Sequence, residues 1–133
     1  MKTILVVEDD SRITAALAVR LQAAGYRVLT APDGRSGLTS AVTAKPDLII
    51  TDIWMPDPIG FLTKERLHNL GLTGVPVIYI TASKKKDLRK TAEEEGAAGF
   101  FEKPYDPQKL LATVAEALSK RSSAERACEP VPH

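Results

Sequence analysis

Short apolar runs alternate along the chain with segments in which apolar residues recur every three or four positions. The apolar runs predict five strands, over residues 4–7, 26–30, 48–51, 75–80 and 99–101. The run at 48–51 is apolar without alternation, which is typical of a strand covered on both faces. The segments that follow the strands predict five helices. The third of these covers 59–69 with the least regular spacing, and the fourth covers 84–95.

Residues that favour helix ends bound these segments. Asp10 or Ser11 can cap the first predicted helix, and Gly25 is placed to end it. Asp106 followed by Pro107 is a favourable start for the fifth helix, because proline fits the first helical position. Strands that alternate with helices predict an α/β fold with a doubly wound, five-stranded parallel sheet and helices on both of its faces.

The length of 133 residues suits a single domain. Helical periodicity is lost from Arg121 onward, where the sequence reads RSSAERACEPVPH. We therefore expect a domain over residues 1–120, followed over 121–133 by a flexible C-terminal tail or by the start of a linker if the protein is longer.

Composition and charge exclude several classes of protein. The net charge is +1, which does not favour direct DNA binding, and Cys128 is the only cysteine, so neither an intrachain disulfide nor a cysteine metal cluster can form. The apolar start of the chain is too short for a signal peptide or a membrane span. A cytoplasmic protein is therefore expected.

The residues at the predicted strand ends carry the candidate chemistry. Ligands in open parallel sheets bind beyond the carboxyl ends of the strands. Carboxylates follow the first and third strands, a hydroxyl follows the fourth and an ammonium group follows the fifth, in the order Glu8-Asp9-Asp10, Asp52, Thr81-Ala82 and Lys103. Clustered carboxylates repel one another unless a cation lies between them. Oxygen ligands alone favour Mg²⁺, with Mn²⁺ also possible.

Such a pocket suits a phosphoryl group. Lys103 can neutralise one phosphoryl oxygen and Thr81 can donate a hydrogen bond to another, while Asp52 can act as the nucleophile. Each of these residues also has a purely structural interpretation, and Asp10 is expected to be a helix cap. The functional interpretation depends on finding complementary groups at all four strand ends of one sheet.

Four segments together resemble the receiver family of response regulators: ILVVEDD, DLIITDIWMP, VPVIYITAS and GAAGFFEKP, in this order and spacing. The resemblance runs from Met1 to Lys120. It implies a flavodoxin-like strand order of 2-1-3-4-5. It also implies a signalling receiver in a two-component or phosphorelay system, which catalyses its own phosphorylation and slow autodephosphorylation but is not otherwise an enzyme. The implied partners are a sensor histidine kinase or a histidine phosphotransfer protein, and a downstream protein target, with the receiver a monomer or weak dimer.

The resemblance also assigns roles to individual residues. Asp52 would take the phosphoryl group from a phosphohistidine, with the metal held by Glu8, Asp9, Asp52 and the backbone carbonyl of Trp54. Phosphoryl oxygens would be bound by Thr81, Ala82 and Lys103, and the Lys103–Pro104 peptide bond would be cis. Thr81 and Phe100 would form a switch, and Trp54 and Ser83 would tune the lifetime of the phosphoryl group.

The fourth predicted helix has a thin apolar stripe, essentially Leu88 and Ala92, so it should be easily displaced. We therefore expect a partner-binding face built from this helix, the fifth strand and the fifth helix. Its expected members are Leu88, Phe101, Tyr105 and Lys109. An alternative is that Phe101 and Tyr105 are simply packed.

Two positions depart from the family pattern, and three other interpretations compete with it. Pro58-Ile59 precedes Gly60 where many receivers have Met-Asp, so the loop after the third strand and the start of the third helix are expected to be reshaped. Trp54 is bulky, and we expect it to screen attacking water. An aspartyl-phosphate hydrolase would need an acid at Trp54. A flavin binder would need a phosphate-binding loop where Glu8-Asp9-Asp10 stands. A receiver cut from a longer protein remains open.

Overall fold

The computed structural model describes residues 1–52, 69–72, 74–82, 86–94 and 96–128. Five strands form one parallel sheet in the order β2-β1-β3-β4-β5. Their bounds are β1 Thr3–Val7, β2 Arg27–Ala31, β3 Leu48–Asp52, β4 Val77–Thr81 and β5 Gly99–Glu102. The α/β class, the parallel sheet and the 2-1-3-4-5 order are confirmed.

Four helices lie within these ranges: α1 Ser11–Ala23, α2 Gly34–Ala44, α3 Lys86–Glu94 and α4 Pro107–Cys128. They correspond to the first, second, fourth and fifth predicted helices. The third predicted helix, over 59–69, lies outside the described residues apart from Asn69, so a count of five helices stays a prediction. No helix in the described part of the chain has the length and apolar character needed to cross a membrane.

The helix starts follow the predicted caps. The Asp10 carboxylate accepts a hydrogen bond from the backbone N–H of Arg12 at 2.9 Å, and the Asp106 carboxylate accepts one from the N–H of Gln108 at the same distance. Helix α1 ends before Gly25, whose φ of 96° is a conformation that glycine adopts readily. These caps fix where helices α1 and α4 begin after strands β1 and β5.

Strand and helix ends differ from the prediction by a few residues, with two consequences. Asp52 is the last residue of strand β3 and not the first residue of the following loop, so the sheet itself positions it. Strand β4 begins at Val77, directly after Pro76, which has no N–H to donate to a neighbouring strand.

Helix α4 continues to Cys128, beyond the point where the apolar stripe stops. The residues from Ser119 to Cys128 include Ala, Lys, Arg and Glu, which have high helical propensity without forming an apolar face. The helix ends two residues before Pro130, and proline disfavours the helical conformation in the residue before it. Loss of periodicity at Arg121 therefore did not mark the end of the helix, and the domain boundary at Lys120 stays a prediction.

The sheet separates two apolar cores. One core contains Leu5, Val7, Ile49, Val77 and Tyr79, and the other contains Ile4, Val6, Ile50, Ile78 and Ile80. Neighbours along each strand point to opposite faces, so these central strands are apolar at consecutive positions. The apolar runs end together at one edge of the sheet, where the polar residues begin.

Candidate functional site: an acidic pocket at the carboxyl edge of the sheet

Strand register brings the predicted site residues to a common edge. Val7 is paired with Thr51, and Asp52 is paired with Ile80. Glu8 directly after β1, Asp52 at the end of β3 and Thr81 at the end of β4 therefore lie at neighbouring strand ends. The backbone N–H of Lys103 donates to the carbonyl oxygen of Thr81 at 2.7 Å, which places Lys103 beside the end of β4. The sequence prediction that these strand ends meet is thus consistent with the geometry.

Lys103 lies between two carboxylates. Its Nζ atom is 2.6 Å from Oε1 of Glu8 and 3.4 Å from Oδ2 of Asp52. The three groups are well enclosed, since the side chain of Glu8 is inaccessible and those of Asp52 and Lys103 are 16% and 15% exposed. The shorter contact shows that Glu8 is the main partner of Lys103 in this arrangement.

Three carboxylates face one another around this lysine. Glu8, Asp9 and Asp52 each offer an oxygen, and these oxygens lie within 4.8 Å of one another. Three carboxylates and one ammonium group leave a formal charge of −2 when all are ionised. Oε2 of Glu8 is buried and has no hydrogen-bond partner among the described residues. Such an oxygen normally has a partner, so the donor set fits a divalent cation.

Burial also shifts the ionisation of these groups. Loss of solvation raises the pKa of Glu8 to about 7, although the hydrogen bond from Lys103 opposes this shift. The same cause raises the pKa of Asp52, again against the charge of Lys103. Burial alone would lower the pKa of Lys103, but its hydrogen bond to Glu8 and the charge of Asp52 outweigh burial and raise it. The lysine therefore stays charged while the carboxylates compete for it.

The remaining acids at the end of β1 have separate positions. Asp9 is exposed, so it can reach a cation from the solvent side of the pocket. Asp10 is the N-cap of α1 and is not among the three grouped carboxylates. This agrees with the structural role expected for Asp10.

The other predicted phosphoryl-binding residues differ in how much the structure describes. Thr81 is buried at the end of β4, and Ala82 follows it in an exposed bend. The Lys103–Pro104 peptide bond is cis, as the resemblance implied. Trp54 and Ser83 lie outside the described residues, as does Pro58 with its loop. Their assignments stay predictions.

The expected partner face is described in part. The rings of Phe101 and Tyr105 are 6.4 Å apart in an edge-to-face arrangement, and both are half-buried against the core beside α4. Lys109 is exposed on α4, whereas the side chain of Leu88 lies outside the described part of α3. Phe101 and Tyr105 are thus packed and partly accessible at once, which leaves both predicted interpretations open.

Sequence reasoning missed two contacts. It assigned Lys103 to phosphoryl oxygens and did not foresee its short bond to Glu8, although three acids at strand ends and one lysine could have indicated it. It also gave no role to Arg89, whose guanidinium carbon lies 5.1 Å from the centre of the Phe100 ring. Nothing in the apolar pattern identifies Arg89, because the contact joins a helix to a strand.

Comparison with known families agrees with this architecture. The sequence profile described as "Response regulator receiver domain" matches residues 4–115. This chain therefore belongs to the response regulator receiver family, and its general function is that of a phosphoacceptor receiver in two-component signalling.

Individual relatives show how much of a longer protein the chain resembles. It is 35% identical over 120 residues to the phosphate regulon transcriptional regulatory protein PhoB of Pseudomonas aeruginosa, covering 90% of this chain and 52% of that protein. It is 36% identical to the alkaline phosphatase synthesis transcriptional regulatory protein PhoP of Bacillus subtilis, covering 91% of this chain and 50% of that protein. The chain thus spans about half the length of these curated relatives.

Solved structures of single receivers are matched over nearly their whole length. The chemotaxis protein CheY4 of Vibrio cholerae is 33% identical with a TM-score of 0.76, covering 88% of this chain and 98% of that one. A CheY-like receiver from Methanospirillum hungatei is 28% identical with a TM-score of 0.80, covering 93% and 98%. These similarities extend the family assignment to the three-dimensional fold.

Proposed function

We propose that Asp52 is the phosphoacceptor of this receiver. Asp52 is the one grouped carboxylate that stands at the end of a central strand, between the acids that follow β1 and the hydroxyl that ends β4. Lys103 contacts its carboxylate at 3.4 Å, so a cationic group already lies beside the reacting atom. This grouping of acid, acid and lysine at one sheet edge is the observation that supports the proposal most strongly.

The transfer would proceed by nucleophilic attack. An oxygen of the Asp52 carboxylate attacks the phosphorus of a phosphohistidine, a P–O bond forms, and the P–N bond to the imidazole breaks. The departing imidazole nitrogen keeps the electron pair of the P–N bond, and the proton already on the other ring nitrogen makes the leaving group a neutral imidazole. Lys103, Thr81 and the backbone of Ala82 bind the phosphoryl oxygens, so their positive charge and donors stabilise the charge of the transferred group.

A divalent cation would complete this arrangement. Glu8, Asp9, Asp52 and the backbone carbonyl of Trp54 would hold Mg²⁺, with Mn²⁺ as a substitute. When bound, the cation supplies positive charge that offsets the carboxylates and the phosphoryl oxygens. The buried Oε2 of Glu8 would gain a partner, directly or through a water molecule.

Lys103 then has to change partners during the reaction. It is held mainly by Glu8 at 2.6 Å, and a cation held by Glu8, Asp9 and Asp52 would supply positive charge to Glu8 in place of the lysine. Lys103 would then be able to move toward the phosphoryl oxygens on Asp52. Thr81 and Phe100 are proposed to transmit this movement, and the surface of α3, β5 and α4 would bind a downstream protein.

The donor would be a sensor histidine kinase or a histidine phosphotransfer protein. Slow hydrolysis of the acyl phosphate would return the receiver to its starting state, with Trp54 and Ser83 setting the rate. For Trp54, we expect Trp54→Asn to shorten the lifetime of the phosphoryl group, because a smaller side chain admits water. Equal lifetimes in the two proteins would refute this role.

Incubation with acetyl phosphate and Mg²⁺, followed by intact mass measurement, tests the proposal. We expect a gain of one phosphoryl group that is lost when Mg²⁺ is removed and lost in Asp52→Asn. Asp10→Asn is the matched control, because asparagine also caps helices and Asp10 lies outside the acidic group. A phosphoryl group that persists in Asp52→Asn, or is lost equally in Asp10→Asn, would contradict the assignment.

A further inference from the structure

The guanidinium group of Arg89 lies over the face of the Phe100 ring. Its central carbon is 5.1 Å from the ring centre, which is within the range of cation–π contacts. Arg89 belongs to α3 and Phe100 to β5, so the contact joins a helix to the neighbouring edge strand. Arginine suits such a contact because its planar charged group can stack on an aromatic ring.

The Phe100 ring contacts both an apolar core and a cationic side chain. It is half-buried and packs against the core that includes Tyr79 and Ala92, and its backbone is the register partner of Tyr79 in β4. Arg89 covers it from the helix. The ring therefore lies between a rigid apolar core and an exposed cation, and only the cation can leave without disturbing the core.

Helix α3 has few other attachments among its described side chains. Arg89, Lys90, Glu93 and Glu94 are exposed, and Ala92 is buried. Arg89 and Ala92 are three positions apart and lie on the same face of the helix. A buried alanine methyl contributes only about 1 kcal/mol, and an exposed cation–π contact contributes about 0.5–1 kcal/mol. Among the described side chains of α3, the Arg89–Phe100 contact is therefore one of the main interactions between the helix and the sheet.

Strand β5 connects this contact to the acidic pocket. Phe100 is three residues before Lys103, and Lys103 hydrogen-bonds to the carbonyl of Thr81 through its backbone and to Glu8 and Asp52 through Nζ. A change in the partner of Lys103 therefore acts on the same four-residue strand that carries Phe100. The contact with Arg89 coexists with a hydrogen bond between Lys103 and the Asp52 carboxylate.

We propose that Arg89 is a positioning residue that holds Phe100 and α3 in the arrangement that accompanies an unmodified Asp52 carboxylate, and so opposes the rearrangement that phosphorylation drives. This inference rests on the proposed function of Asp52. Arg89 biases an equilibrium between two arrangements, and a ligand that favours the other arrangement must overcome that bias. Removing the contact should shift the equilibrium constant between the two arrangements toward the phosphorylated one. The expected factor is about two- to fivefold, which corresponds to the free energy of the contact.

Beryllofluoride with Mg²⁺ serves as the probe, since it mimics a phosphoryl group on aspartate. Its apparent affinity is measured in the wild type, Arg89→Met, Phe100→Leu and the double variant. We expect Arg89→Met to tighten binding about two- to fivefold in the wild-type background and by less than 1.5-fold in the Phe100→Leu background. Methionine keeps an apolar chain of similar character and removes the planar, charged guanidinium group that makes the contact.

A second measurement detects positioning without any ligand. Arg89→Met should accelerate amide exchange in α3 about two- to fivefold and leave exchange in α1 unchanged. Lys90→Met is the matched control, because Lys90 is the exposed neighbouring cation of the same helix and its loss changes the net charge equally. Neither the probe affinity nor α3 exchange should change in Lys90→Met.

Each alternative result overturns the inference. Equal effects of Arg89→Met in both Phe100 backgrounds would show that the ring is not its partner. Equal effects of Lys90→Met would show a general effect of charge. Faster exchange in α3 with unaltered probe affinity would make Arg89 purely structural. Failure of the proposed function is distinguishable, because the wild type would then bind no beryllofluoride, or would bind it equally well as Asp52→Asn.

Discussion

The middle of the sheet and its carboxyl edge adjoin each other but treat buried groups differently. In the middle, aliphatic side chains such as Ile4, Ile50 and Ile78 are fully buried and belong to one apolar core. At the edge, Glu8 is equally inaccessible, yet one of its oxygens has no partner among the described residues. The middle of the sheet therefore stabilises the fold. At the edge, burial of charged groups lowers stability but leaves those groups available to a ligand.

This contrast predicts that substitutions in the two regions affect different measurements. A change in the middle should lower the free energy of unfolding and leave metal binding by the folded protein unchanged. A change at the edge should alter metal binding and leave, or even improve, stability. The following predictions begin with the largest expected effect.

Ile4→Ala should lower the free energy of unfolding by about 2–5 kcal/mol, because it leaves a cavity beneath the first strand. Urea unfolding measures this loss. Magnesium affinity of the folded protein should stay within about twofold, since Ile4 lies at the far end of β1 from Glu8. A large loss of affinity in this variant would show that the two regions are not separable.

Stability should fall as pH rises in the absence of divalent metal. The pKa of Glu8 is 4.5 ordinarily and about 7 in the folded protein, so between these values the folded protein binds more protons than the unfolded chain. The free energy of unfolding should therefore decrease by about 1–3 kcal/mol from pH 4.5 to pH 7 through this group. Urea unfolding across this window measures the slope.

Glu8→Gln isolates the contribution of Glu8 to that slope. The variant should lose most of the difference between the two pH values, because glutamine does not titrate. Asp10→Asn provides the comparison, since it removes an acid outside the pocket. A wild-type slope of the opposite sign, with stability rising from pH 5 to pH 7, would contradict the burial of an unsatisfied carboxylate.

Lys103→Met should increase the affinity for Mg²⁺. Lys103 competes with the cation for Glu8 and Asp52, and removing one positive charge at this distance should strengthen binding by about 1–2 kcal/mol, or roughly 5- to 30-fold. Isothermal titration measures the change, with Lys109→Met, at an exposed position on α4, as the control. Weaker binding of Mg²⁺ to Lys103→Met than to wild type would mean that the lysine organises the site.

The contrast between the buried middle of the sheet and its polar edge is weakest in strand β5, because none of the four residues of this strand is fully buried. Phe100 and Phe101 point to opposite faces, toward Arg89 and Tyr105 respectively. Phe100→Leu and Phe101→Leu should each cost about 1 kcal/mol of stability. Hydrogen exchange should separate them, because only Phe100→Leu should accelerate exchange in α3. Acceleration of α3 by both variants would remove the distinction between the faces.

The sheet could be predicted because its signals are local. Runs such as Leu48-Ile49-Ile50 require burial on both faces, and caps such as Asp10 and Asp106 fix helix starts. The end of α4 could not be found in this way, because Ala124, Glu125 and Ala127 favour a helix without an apolar stripe. Periodicity reports which face is buried and not how far a helix continues.

The candidate site could be predicted as a set of residues but not as a set of contacts. Glu8 and Lys103 are 95 positions apart in sequence, and Asp52 lies between them. Only the parallel register of the strands shows that their strand ends meet. Which carboxylate Lys103 selects depends on side-chain lengths and burial, which no spacing encodes. The same holds for the contact between Arg89 and Phe100, since it depends on how α3 lies against β5.

Titration with Mg²⁺, followed residue by residue through backbone amide chemical shifts, tests the central claim most directly. If the strand ends form one cation site, saturable shifts should appear together at Glu8, Asp9, Asp52 and Lys103, with one common affinity that weakens in Asp52→Asn. Shifts that fail to saturate, or that arise at scattered acids away from this edge, would contradict the account.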